Sequence, residues 1–251
     1  MKELIRAFLR FLWRTRNHIG PKASLNTDKK VAFILLSYKR EQNIDTMLRA
    51  AAKCDFIDRI IVSNNNPEID IRQHISLADP RLEIINQAER KRPTVRWELA
   101  QSETPECDIV VCPDDDIFLY PEQIKKLVQF AIDDPERSHG VVGSIDAKYV
   151  SRHNTECDFL MRCYVTTQQH IKRYFELTEQ IPFYQENGII LGDDMIISLS
   201  APKAAKIHKV GYILSCKTSM QDKIAIYTED FFCERRAIIY EQAKKARLNL
   251  F

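Results

Sequence analysis

The feature that most restricts the fold of this chain is a short apolar run ending in three acids. Residues 108–120 read Asp-Ile-Val-Val-Cys-Pro-Asp-Asp-Asp-Ile-Phe-Leu-Tyr. The run Ile109-Val110-Val111-Cys112 is β-branched and apolar on both faces, the pattern of a central strand in a sheet covered on both sides. Asp114, Asp115 and Asp116 follow it at once and repel one another, so some partner must offset that repulsion. Hard carboxylate oxygens suit Mg²⁺ or Mn²⁺, and a cation left partly open can also hold a diphosphate. In open α/β sheets, ligands bind beyond the carboxyl ends of the strands. An isolated Asp-rich turn is ordinarily a solvated connection, but one placed directly after a buried-type strand points to a metal site.

The surrounding elements repeat this arrangement. Val31–Leu36 reads as a strand that ends in Ser37-Tyr38-Lys39-Arg40, followed by helical spacing over 41–53. A second strand at 59–63 ends in Asn64-Asn65-Asn66-Pro67, and a third is expected at 82–86. A basic loop, Arg90-Lys91-Arg92, leads to a helix over 94–102. After the acidic strand, Pro121 sits where a first-turn proline is tolerated and opens a helix to about residue 132. A further strand is expected at 141–145. This alternation predicts an α/β fold with a parallel, right-handed, doubly wound sheet. Three strands end in polar clusters, which together make an edge the size of a nucleotide.

The second half is less regular. Strand is expected over 158–166, helix over 169–178, a short strand over 206–214, and a charged helix over 227–246. Between them lies Gly192-Asp193-Asp194-Met195. One acid of this pair can cap the helix it heads while the other faces a cleft.

Residues 1–18 stand apart. Leu4, Ile5, Phe8, Leu9, Phe11, Leu12 and Trp13 share one broad helical arc, and Arg6, Arg10 and Arg14 form a ridge beside it. Residues 1–22 carry six basic residues against Glu3, a net of +5; since the whole chain is +2, the remainder is net −3. Arginine interrupts every turn, unlike the apolar core of a signal peptide. This basic helix can lie in an anionic membrane interface, pack on the domain or a partner, or simply begin the fold. Residues 23–251 then form one domain, with 23–150 as its ligand-binding half and 151–251 as its second half. The near-balanced charge, 37 basic against 35 acidic residues, gives no reason to expect a nucleic-acid partner. Seven scattered cysteines without a CxxC pair point to reduced thiols and a cytoplasmic setting, which the first helix would make peripheral to the inner face of the cell membrane. No apolar run is long enough to span a bilayer. The six histidines show no ligand spacing.

The Ser37-Tyr38-Lys39-Arg40 strand end, the Asn64-Asn65-Asn66-Pro67 turn, the Asp114-Asp115-Asp116 triplet and the Asp193-Asp194-Met195 helix start occur in the order seen in GT-A glycosyltransferases. They most resemble the exostosin-type family, glycosyltransferase family 64, with the larger family 2 next. Cys233 also resembles a cysteine of the exostosin-type family's last helix. The resemblance covers residues 31–240 and implies a GT-A fold, a nucleotide-sugar donor, UDP-linked, and a glycan or lipid-linked glycan acceptor, with Mn²⁺ or Mg²⁺ as cofactor. It implies Asp116 as the metal ligand that bridges to diphosphate, with Asp114 and Asp115 on ribose and sugar. Ser37, Tyr38, Arg40 and Asn65 would line the nucleoside pocket and Arg96 would reach phosphate or sugar. Asp194, beside Asp193, would sit by the reacting carbon. Where the exostosin-type family has a late arginine, this chain has Asp230, and Arg235 or Arg236 would substitute. Family 64 retains configuration at the transferred carbon, whereas family 2 inverts it.

Two other functions fit parts of the pattern. A sugar nucleotidyltransferase also pairs such a sheet with metal-binding acids, but it needs a glycine-rich loop after its first strand, and Ser37–Glu41 has no glycine. A non-catalytic relative of the fold would not need both acidic groups.

Overall fold

In the computed structural model, which describes residues 2–146, 148–151, 153–187, 191–216 and 231–251, one mixed sheet runs through both halves of the chain. Its core is β1 (Val31–Ser37), β2 (Arg59–Asn64), β3 (Leu82–Asn86) and β4 (Ile109–Pro113). These four are mutually parallel in the order β3-β2-β1-β4. The expectation of buried strands holds: all five residues of β4 are buried, as are six of seven in β1. Alternation divides their side chains between two cores. Val31, Phe33, Leu35, Ile109 and Val111 face one layer, and Ala32, Ile34, Val110 and Cys112 the other.

The first layer is covered by α1 (Lys2–Ile19), α2 (Glu41–Ala52) and the helix that begins at Pro121. The second is covered by α3 (Val95–Ser102), which contributes Val95 and Trp97, and by helices from the second half of the chain. Helices on both faces explain why the strands read as continuous apolar runs.

Beyond β4 the sheet departs from the parallel expectation. After the two-residue β5 (Ile117–Phe118) and α4 (Pro121–Asp133), strand β6 (His139–Ile145) does not pair with β4. Strands β7 (Lys148–Ser151) and β8 (Thr155–Cys157) follow, and then β9 (Phe159–Thr167) inserts between β4 and β6, antiparallel to both. Alternation of strand and helix cannot foresee this, because β9 reaches its place by long-range pairing. Helices α5 (Gln168–Glu179), α6 (Pro182–Asn187) and α7 (Asp193–Leu199) come next.

The stretch expected as one strand at 206–214 is two. β10 (Ala205–Ile207) joins the main sheet beside β6, whereas β11 (Leu214–Ser215) pairs with β5. Gly211, at φ +111°, turns the backbone between them. Helix α8 (Phe232–Arg247) closes the described chain. Residues 227–230, where that helix was expected to begin, lie outside the described residues.

α1 docks on α2 and β5 by a narrow stripe. The Trp13 ring stacks on Phe118 at 4.3 Å, and its Nε1 donates to the Leu119 carbonyl at 3.0 Å. Immediately after it, Ala23 bridges Cys54, its amide donating to Lys53 O at 2.9 Å. All seven cysteines are free thiols.

Three histidines are buried: His139 in β6, His170 in α5 and His208 just after β10, where it stacks on Phe130 of α4. His139 Nε2 donates to the Asp134 carbonyl at 2.9 Å, so its Nδ1 must accept from His208 Nε2, also at 2.9 Å. His170 Nδ1 lies 3.0 Å from Thr166 Oγ1. Burial lowers all three pKa values, those of His170 and His208 to about 3. A base whose folded-state pKa is depressed stabilises the fold above its unfolded value, near 6.5, and that stability is lost as pH falls. The share of stability that each of these histidines contributes, read by urea unfolding, is therefore expected to drop by about 1.4 kcal/mol per pH unit below about pH 6. His170→Gln should flatten the fall, and an unchanged slope in that variant would contradict this account.

Candidate active site

The acidic turn is where the strand ends converge. Asp114, Asp115 and Asp116 leave β4 and lead into β5, which β11 pins; the Cys216 amide donates to the Asp116 carbonyl at 2.8 Å. The three side chains have different partners. Asp115 is 6% exposed, accepts from the Arg40 guanidinium and, at 3.1 Å, from the Tyr38 amide. Burial raises its pKa and Arg40 opposes the shift. Asp114 accepts from Arg96 Nη1 at 2.8 Å. Asp116 has only more distant cations, Arg162 and Arg40, whose Nη2 lies at 4.0 Å, and its buried Oδ1 accepts no hydrogen bond. Burial, with the Asp114 charge beside it, pushes the Asp116 carboxyl up to about 7.

The second acidic pair faces the same cluster. Gly192 precedes it at φ +92°, and a Cβ there would come within 2.9 Å of Ile239 on α8. Neither aspartate is the N-cap of α7, which is the glycine itself, but Asp194 Oδ1 accepts from the Met195 amide at 2.9 Å. Asp193 lies 3.3 Å from Arg96 Nε, without hydrogen-bond geometry at its Oδ2. Burial raises its carboxyl to about 6, against the pull of Arg96. Arg96 thus bridges the first acidic group to the second. It is 6% exposed and lies 5.2 Å from the Tyr164 ring centroid. Burial alone would lower its pKa, but Asp114 and Asp193 raise it well above the usual guanidinium value.

Asp194 is held from the other side. Arg236 of α8 donates to both of its oxygens, at 2.7 and 2.9 Å. Of the two arginines offered for this role by the sequence, the one that reaches the pair is Arg236, not Arg235, which lies over the Phe231 ring at 4.3 Å. Helical phase decides this, since adjacent residues on a helix point about 100° apart. Asp230 lies outside the described residues, and Cys233 is exposed on α8.

The residues expected to line a nucleoside pocket do gather at the strand ends. The Asn65 amide donates to the Ser37 carbonyl at 2.8 Å, and Ser63 Oγ donates to Asn65 Oδ1 at 3.0 Å. Ser37 Oγ is buried without a partner. Tyr38 is half-buried, with the Arg90 guanidinium over its ring at 4.4 Å. The basic loop therefore meets the first strand end, a contact that spacing did not foretell.

Arg162 is the site residue that sequence reasoning missed. It sits in β9 at φ +65°, where the β6–β9 register slips, and its carbonyl accepts from the Asp114 amide at 2.6 Å. Its charge lowers the Asp116 pKa against the burial effect. A non-glycine residue held in the left-handed region beside a site is a place where fold and function compete. The only local signal was an arginine interrupting an apolar strand.

A divalent cation fits this set of donors. Asp116 offers a buried, unpartnered, hard oxygen in a cluster whose other charges are already matched by arginines. Among the described residues, no three His, Cys, Asp or Glu side chains converge to hold a metal unaided. A cation here would draw its remaining oxygens from a ligand and from water.

Arg96→Met should cost about 3–5 kcal/mol in urea unfolding, because buried Asp193 and half-buried Asp114 lose their common partner. Adding Asp193→Asn should recover part of that loss. A cost within experimental error for the single variant would show that Arg96 does not balance the cluster.

Comparison with known proteins supports the fold. The chain resembles the solved structure of GalNAc-T7 with UDP, GalNAc and Mn²⁺ at 8% identity and a TM-score of 0.54, over 74% of this chain and 43% of that one. It resembles 4-diphosphocytidyl-2C-methyl-D-erythritol synthase from Anaerococcus prevotii DSM 20548 at 13% identity and a TM-score of 0.50, over 83% of this chain and 95% of that one. At such identities the likeness is one of fold. The chain spans less than half of the GalNAc-T7 chain. No curated protein matches it. The model of the family described as "Glycosyl transferase family 2" matches residues 32–195, from the first strand to the second acidic pair. The match falls on the second of the two groups that the motifs resemble, and the exostosin-type assignment finds no support. Covering more than half of the sequence, it shows that this chain belongs to glycosyl transferase family 2.

Proposed function

We propose that the chain transfers a sugar from a UDP-linked donor to a hydroxyl of a glycan acceptor, free or lipid-linked, with Mn²⁺ or Mg²⁺ held at Asp116. The observation that carries this reading is the buried Asp116 Oδ1 without a hydrogen bond, in a cluster whose other described carboxylates each lie within 3.3 Å of an arginine nitrogen. GalNAc-T7, whose fold is similar, was crystallised with UDP, GalNAc and Mn²⁺, which agrees with the choice of donor and ion.

In this reading Ser37, Tyr38 and Asn65 receive the nucleoside at the ends of β1 and β2. Arg40 fixes Asp115, so that the ribose meets a carboxylate of set orientation. A cation held at Asp116 would supply neutralisation of the charge that develops on the departing diphosphate. Arg96, poised between Asp114 and Asp193, adds positive potential from the protein itself. Asp194, oriented by its two bonds to Arg236, accepts the proton of the acceptor hydroxyl. The hydroxyl oxygen forms the new bond to the sugar as the bond to the diphosphate breaks. Family 2 membership favours a single displacement with inversion.

Nucleotidyl transfer is the weaker reading, because the glycine-free loop after β1 commits Arg40 to Asp115 and offers no backbone cradle for a triphosphate.

Calorimetry with UDP should show binding that depends on Mn²⁺ in the native protein. Asp116→Ala should abolish both that dependence and turnover on a panel of nucleotide sugars. Asp194→Asn should keep donor affinity within about threefold and lower turnover roughly 100-fold or more, the scale of a lost general base. Metal-independent UDP binding would overturn the role of Asp116. Loss of turnover in Asp193→Asn but not in Asp194→Asn would move the base to Asp193.

A further inference from the structure

The docking of α1 leaves most of its apolar surface uncovered. The stripe against the domain holds Leu9, Trp13 and Asn17. Leu4, Ile5, Phe8, Phe11, Leu12 and Ile19 are 76, 53, 59, 63, 40 and 82% exposed. At about 100° per residue these six fall within one arc of roughly 120° on the helix. Two phenylalanines and four aliphatic residues in one outward patch are not a feature that a surface helix keeps without an occupant.

We infer that this face docks on an anionic lipid membrane, with α1 lying in the plane of the interface. Charge selects the occupant. Arg14 and His18 border the arc on one side and Arg16 on the other, all exposed. Residues 1–22 carry net +5 with Glu3 as their only acid, against −3 for the rest of the chain. An apolar face bordered by arginine matches acyl chains beneath anionic headgroups. A second copy of the chain fits poorly, because face-to-face packing would bring two sets of arginines together with no acid between them.

The attachment to the domain runs through buried and stacked aromatic contacts beside the acidic turn. Trp13 is 1% exposed against Phe118, and Arg16 lies over the Tyr120 ring at 4.7 Å. Phe118 and Leu119 follow Asp116 by two and three residues. Docking would hold the acidic cluster at a set height above the lipid, whatever reaction it performs. Among the described residues no helix is long and apolar enough to cross a membrane, so this contact is peripheral.

The test is sedimentation of the full chain with vesicles, without donor or acceptor, so that its result is independent of the transfer reaction. The native protein should bind vesicles of phosphatidylcholine mixed with phosphatidylglycerol at least tenfold more tightly than vesicles of phosphatidylcholine alone. The difference should shrink at high salt. The double variant Phe8→Glu, Leu12→Glu should lose binding to both, while its thermal midpoint stays at the native value because both side chains project outward. Arg14→Glu should reduce only the preference for the anionic vesicles. The inference is overturned if the native protein binds neither vesicle, or if the double variant binds as the native chain does. A dimer that the double variant dissociates, together with absent vesicle binding, would assign the face to a second copy instead.

Discussion

The structure depends on balancing five aspartates in a space that largely excludes water. Asp114, Asp115, Asp116, Asp193 and Asp194 come from two acidic groups that lie far apart in sequence. Burying several carboxylates together is costly unless each is paired. Arg40 takes Asp115, Arg96 spans Asp114 and Asp193, and Arg236 takes Asp194. Each arginine comes from a different helix or its cap, so neutralising the cluster also ties α2, α3 and α8 to the ends of the strands. Asp116 is the carboxylate held least closely by an arginine, and burial, with the Asp114 charge beside it, lifts its pKa to about 7.

This balance gives the irregular parts of the fold a physical purpose. The antiparallel β9 is needed beside β4 because its bulged segment brings Arg162 to the back of the acidic turn. β11 is short, but its pairing with β5 fixes the chain that carries Asp116. α1 packs on that same β5 through Trp13, which links the outermost helix of the molecule to its most charged turn. The buried histidines lie apart from this network. They stay neutral by burial and bond to hydroxyls, a carbonyl and one another.

The elements were legible wherever local pattern decides structure. Strands at 31–36, 59–63, 82–86 and 109–112 followed from continuous β-branched runs, and the helix at Pro121 from its first-turn chemistry. The antiparallel insertion of β9 and the splitting of 206–214 were not legible. Both depend on which partner a strand finds, and for a short strand that is a matter of distant residues. In the site, the carboxylates and Arg40 could be read because they stand at strand ends in compact motifs. Arg236 could not be separated from Arg235, since the choice rests on the rotational phase of α8. Arg162 left only the trace of a charge within an apolar strand.

The sequence by itself determined that a covered parallel sheet would end in an acidic turn and that a second acidic pair would head a later helix. Periodicity, β-branching and charge are local properties, and they suffice for this. Only the tertiary structure decided that the two acidic groups meet, that Arg96 bridges them, and that Asp116, among the described carboxylates of the cluster, has a buried oxygen with no hydrogen bond and no ion pair closer than 4.0 Å. It also decided that the first helix turns its tryptophan inward and its phenylalanines outward. These outcomes depend on the packing of residues distant in the chain, where the cost of an unpaired buried charge or an uncovered apolar side chain is settled jointly by all the elements around it.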